Sequence, residues 1–163
     1  MDMINRLADL ISREAATFEN FLELLGRQKE ALVSNDLKAL NEVTDKQREK
    51  MVEGQLLNKE RLRLIEKIKA ANMIEGDVTV TRLVEYADKN QATRLMQLRE
   101  TILDLNDRIT EARNTNAMLL NQSRESIARI MAMLSKINNP EHIYCRKGAG
   151  DSRGANLAVD RRA

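Results

Sequence analysis

Aromatic residues are nearly missing from this 163-residue chain, which has no tryptophan, two tyrosines and two phenylalanines. Sheet-built cores draw heavily on such rings, so an all-α fold is the first expectation. Turn formers are equally scarce, with six glycines and a single proline, Pro140. A β-sandwich or barrel needs turn residues every 8–12 positions or so, and that class is excluded. Residues 1–139 are free to run as long helices.

The one cysteine, Cys145, cannot form an internal disulfide. The opening stretch MDMINRLADLIS carries acids and a helical spacing where a secretory signal needs an unbroken apolar run. Apolar runs such as Met131 to Leu134 fall far short of the roughly 18 residues that span a bilayer. A cytoplasmic protein without stable membrane insertion is expected.

One-sided charge is also lacking. The formal net charge is +2, from 27 basic and 25 acidic residues. Five of the basic groups (Arg146, Lys147, Arg153, Arg161 and Arg162) and three of the acids (Glu141, Asp151 and Asp160) lie in residues 141–163, which leaves 22 of each sign elsewhere. Nucleic-acid binding relies on a concentrated basic face to neutralise phosphates. Nucleic acid is therefore not an expected partner.

What the sequence does have is helical periodicity. Ile4, Leu7, Ile11, Phe18, Phe21, Leu25 and Leu32 recur at spacings of three and four, which predicts a helix over about 2–33. Glu14 and Gln28 occupy polar positions in that register, as in a bundle helix with a partly wet seam. Ser34-Asn35-Asp36 is a corner, because short polar side chains bond nearby backbone groups. A second helix, about 36–72, turns Leu37, Leu40, Val43, Met51, Leu57, Ile65 and Ile68 inward, and its wholly polar stretch Asp45 to Lys50 reads as a solvated turn. Met73 to Thr79, with Gly76-Asp77, forms the next corner. The β-branched run Val78-Thr79-Val80 favours extended chain before a short helix over about 80–88.

The clearest stripe comes last: Leu95, Leu98, Ile102, Leu105, Ile109, Ala112, Asn116, Leu119, Ser123, then Ile127, Ile130, Leu134 and Ile137. A repeated spacing of four after Ser123 is a stutter in the heptad register. A helix over about 90–137 spans about 70 Å, whereas the first two reach about 50 Å each. Residues from Asn114 to Ile137 are therefore expected to extend past their neighbours with apolar groups uncovered, as at a partner surface. Asn138-Asn139-Pro140 ends the helix. The expected organisation is a long antiparallel helical bundle over 1–139 followed by a flexible tail over 140–163.

Catalysis needs convergent titratable groups. The chain holds one histidine and one cysteine, with its carboxylates spread over helical faces. His142 and Cys145 could supply two ligands where a structural zinc site takes four, and no nucleotide-binding or hydrolase motif is present. No enzyme activity, catalytic residue, metal or cofactor is expected. Three features remain. Met118, Met131 and Met133 suit either a core filler or an adaptable binding surface. Asn114, Asn116, Asn121 and Gln122 place amides beside the apolar stripe, where they could bond a guest backbone. Tyr144 stands in the tail string Ile143-Tyr144-Cys145-Arg146-Lys147-Gly148, either packed back on the last helix or free to anchor a partner.

In order and length this pattern resembles the FlgN-type flagellar type III export chaperones. The likeness runs through Leu7, Ile11, Glu14, Phe18, Leu22 and Leu25, then Glu30-Ala31-Leu32, Asp36, Leu40 and a basic polar helix through Arg61. It resumes at Asn116, Leu119-Leu120, Ile127, Ile130 and Leu134 and closes on Tyr144 to Gly148. Cys145 stands where family tails often carry a glycine, and residues 149–163 extend beyond the likeness. The resemblance implies a helical chaperone that binds C-terminal helical segments of the hook-filament junction proteins, prevents their premature assembly and delivers them to the cytoplasmic domain of the export gate. The export ATPase complex is a further candidate partner. The implied client surface comprises Asn116, Leu119, Leu120, Ser123, Ile127, Ile130, Met131 and Leu134, with guest anchors three and four apart. The proposed gate contact is Ile143 and Tyr144. Sister chaperones for the filament or cap protein, and a coiled-coil scaffold that homo-oligomerises through the last helix, are the competing readings.

Overall fold

The computed structural model describes residues 3–76 and 78–138. The expected tail over 140–163, with His142, Ile143, Tyr144 and Cys145, lies outside them. The fold is all-α: 91% of the described residues are helical and none forms a strand. Four helices follow in order, α1 (Met3–Ser34), α2 (Leu37–Asn72), α3 (Val80–Val84) and α4 (Lys89–Asn138). The chain divides into two units, residues 1–123 and 124–163.

In the first unit, α1 and α2 form an antiparallel hairpin. Its corner is built from local chemistry. Asn35 takes the left-handed conformation (φ 54°) that asparagine tolerates, and the backbone N–H of Asp36 donates to the Ala31 carbonyl at 2.9 Å while that of Asn35 donates to Leu32 at 3.4 Å. That pair of bonds closes α1 in a Schellman motif. Asp36 then caps α2, its carboxylate accepting from the Ala39 N–H at 3.0 Å. The far end of α2 also stops on a left-handed residue, Met73 (φ 50°), with the buried Ile74 donating back to the Lys69 carbonyl at 3.1 Å.

Thr79, in extended conformation, caps α3 by accepting from the Arg82 N–H at 3.3 Å. α3 is a single turn and stops at Val84, short of the 80–88 expected; residues 85–87 continue as turn and bend. Asp88 and Gln91 form a reciprocal box at the start of α4. The Asp88 carboxylate accepts from the Asn90 and Gln91 N–H groups, and the Gln91 side-chain oxygen accepts from the Asp88 N–H.

The core gathers at the end where α1 begins and α2 finishes. Ile4, Leu7, Leu10 and Ile11 meet Leu57, Leu64 and Ile68, with Leu83 and Leu95 closing the cluster. Leu7, Ile68, Leu83 and Leu95 are almost wholly sequestered. Two cross-helix ion pairs edge this end, Arg94 to Asp9 at 2.7 Å and Arg6 to Glu60 at 3.4 Å. Burial then weakens along α1. Phe18, Phe21 and Leu32, expected inward, are half-buried, as are Ile109 and Ala112 on α4. Leu37 and Met51 of α2, also expected inward, are exposed at 72% and 55%. The reason is spacing between helices: α1 and α2 are closely paired, and among the described residues no other two helices share so extensive a backbone approach.

Candidate functional site

Two polar contacts sit where the α1 stripe loses its apolar residues. Glu14 is buried, and its carboxylate lies 3.2 Å from Arg61 Nε on α2. Burial pushes the Glu14 carboxyl above its usual value of 4.5, and the neighbouring guanidinium opposes that shift. Farther along, Asn116 of α4 is buried, and its Nδ2 donates both to the Leu25 carbonyl and to Gln28 Oε1, each at 2.9 Å. Gln28 Nε2 in turn donates to Gln47 Oε1 at 3.3 Å.

The direction of this amide chain is fixed at its first link. A backbone carbonyl only accepts, so Asn116 must present its NH₂ there, and each later amide must follow suit. Gln47 is consequently left with a buried Nε2 that has no hydrogen-bond partner among the described residues. A buried donor in that state costs about 1–3 kcal/mol. Gln47 lies in the middle of the polar stretch expected to be solvated, and it is 9% exposed. The stretch reads as surface because its neighbours are surface; the single inward position carries no signal of its own.

Around this chain of amides lies a groove of about 1060 Å³, floored by α1 and walled by α2 and α4. Phe18, Phe21 and Leu25 supply its apolar floor, with Ile109 and Leu120 on one wall and Met51 on the other. Lys50 and Arg113 are its two cations, and no carboxylate lines it among the described residues. Lys50 also bonds Glu53 at 2.7 Å, and that bond, the largest influence, holds the Glu53 carboxyl below its usual value against desolvation, with the Lys50 and Arg13 charges and a Thr17 hydrogen bond adding to it.

In the second unit, every described side chain from 124 to 137 is exposed. Ile127, Ile130, Met131 and Leu134 show 58%, 57%, 62% and 50% of their surfaces, and they fall at i, i+3, i+4 and i+7 on one helical face.

The family model described as FlgN protein matches residues 1–151. The chain belongs to the FlgN family. This family comprises flagellar export chaperones, so the chain's broad role is to accompany flagellar export substrates. No curated protein and no solved structure matches it.

Against that background the expected client-surface residues separate into three groups. Ile127, Ile130, Met131 and Leu134 are exposed, as is Leu120 in the first unit at 47%. Leu119 and Ser123 are half-buried. Asn116 is buried, and its amide nitrogen is bonded inside the bundle to Leu25 and Gln28. Ile143 and Tyr144 lie outside the described residues. Of the three methionines, Met118, Met131 and Met133 are all exposed, at 62–65%, so the core-filler alternative does not apply to them. Among the described residues no cluster of His, Cys, Asp and Glu could hold a metal ion, and no helix is long and apolar enough to cross a membrane.

Proposed function

We propose that this FlgN-family chain is a cytoplasmic chaperone for the hook-filament junction proteins. It binds a C-terminal helical segment of the client on the face formed by Ile127, Ile130, Met131 and Leu134. The observation that supports this is the exposure of all four apolar side chains at helical spacing, since a soluble helix gains nothing from such a face unless a second apolar surface covers it. Covering the face withholds the client's own apolar stripe from premature assembly. Delivery to the cytoplasmic domain of the export gate is assigned to Ile143 and Tyr144, an apolar and aromatic pair suited to a small reversible contact.

The test is calorimetry and size-exclusion chromatography with purified C-terminal segments of the two junction proteins. Ile130→Asp is expected to abolish client binding while leaving the far-ultraviolet circular dichroism and Tm within error, because the side chain is more than half exposed. A variant that unfolds instead would make the face part of the core and overturn the reading. Tyr144→Ala is expected to keep client binding and lose retention by the gate domain. Binding of filament or cap segments in place of junction segments would transfer the client assignment to a sister chaperone. A stable homo-oligomer dissociated by Ile130→Asp would turn the face into a self-association surface.

A further inference from the structure

We infer that the groove in the first unit is a second binding site, shaped for one acidic amphipathic helix of a partner protein. It lies in residues 1–123 and does not depend on the exposed face of residues 127–134. Its size is the first argument. On α1 the lining runs from Thr17 to Leu32, about 15 residues or roughly 22 Å of helix. A helix about 10 Å across, sunk to half its depth over that length, displaces roughly 900 Å³, close to the groove's 1060 Å³. An extended peptide would leave backbone groups facing Phe18, Phe21 and Leu25 without partners, whereas a helix satisfies its own.

Charge supplies the second argument. In a chain of nearly balanced charge, the groove is lined by Lys50 and Arg113 and by no carboxylate among the described residues, and Lys50 is already paired with Glu53 at 2.7 Å, so the uncompensated charge is that of Arg113. Arg113 forms no ion pair or hydrogen bond among them. An occupant with Asp or Glu beside its apolar stripe would meet that guanidinium, while one with lysines there would be repelled.

Size and charge thus converge on a helix that is apolar below and acidic at its edge.

The experiment uses the full chain and two synthetic 16-residue helical peptides, both with leucines at i, i+3 and i+4 spacing, one flanked by glutamates and the other by lysines. Fluorescence anisotropy is expected to show the glutamate peptide binding at least ten times more tightly than the lysine peptide. Ala117→Trp, which fills the groove from its exposed rim, is expected to weaken the glutamate peptide by at least tenfold, whereas Ile130→Asp leaves it unchanged. Arg113→Glu is expected to invert the preference between the two peptides. That inversion is a readout a misfolded groove could not produce. Equal binding of both peptides, or a preference that Arg113→Glu leaves intact, would overturn the proposal. Binding lost in Ile130→Asp and kept in Ala117→Trp would move the peptide to the exposed face and overturn the groove site alone. A dimer in sedimentation velocity that Ala117→Trp dissociates would give the groove to a second copy of the chain and likewise overturn the assigned partner.

Discussion

At the scale of single residues, the instructive positions are polar groups held inside an apolar stripe. Glu14 is buried beside Arg61, and burial raises its carboxyl above 4.5. Between 4.5 and the raised folded value, the folded chain holds a proton that the unfolded chain releases, so this group's contribution to stability falls as pH rises through that window. Glu14→Gln mimics the protonated form. The variant is therefore expected to gain on the wild type as pH goes from about 4.5 to 7, measured as the difference between their urea midpoints. A difference that is flat across this range, or of opposite slope, would contradict the assignment. Glu53, held low by Lys50, titrates in the opposite sense below 4.5, and its effect cancels because both proteins contain it. Glu14 and Gln28 were legible in the sequence as breaks in a heptad-like register. Gln47 was not, since it sits among Asp45, Lys46, Arg48 and Glu49, and only the geometry of the amide chain sets it apart.

At the scale of elements, the ends of the helices were legible where side chains make them. Asp36 was read this way at the first corner, whereas Thr79 and the Asp88–Gln91 box, which also bond backbone N–H groups, were not singled out in the sequence although capping patterns of this kind are visible there. The end of α2 is different, because a methionine occupies the left-handed position that glycine or asparagine usually takes. Met73 is 90% exposed, so its side chain contributes little packing in return for the steric cost. Ile74, buried one residue later, forces the geometry. Replacing Met73 by glycine removes a left-handed penalty of about 1 kcal/mol or somewhat more, and part of that gain is offset by the greater freedom of glycine in the unfolded chain. The expected outcome is a stabilisation of about 0.5 kcal/mol, read from the urea midpoint. A destabilised variant would mean that the exposed thioether packs in solution. Which residues of α2 face inward was harder to read: Leu37 and Met51 keep the spacing of a buried stripe but have no helix above them.

At the scale of the whole molecule, apolar burial is uneven, and stability should follow it. Leu7, Ile68, Leu83 and Leu95 join all four helices at one end of the first unit. Opening the amides around them exposes that core, which approaches global unfolding. Residues 124–137 bury nothing among the described residues, so their helix rests on intrinsic propensity and a few local pairs such as Arg129 with Glu125. An isolated helix of about 15 residues is marginal in water. Native-state hydrogen exchange is therefore expected to be slowest for 4–11, 57–68 and 83–105, and to be faster by at least two orders of magnitude for 124–137. Adding a client segment should slow exchange in 124–137 and leave the core pattern as it was, because only the exposed face gains cover. Equal protection of 124–137 and the core in the free protein would show that this face is already covered in solution, by a second copy or by residues beyond 138. In that case the client would have to displace an occupant rather than find an open surface, and its association rate would become independent of client concentration at saturation.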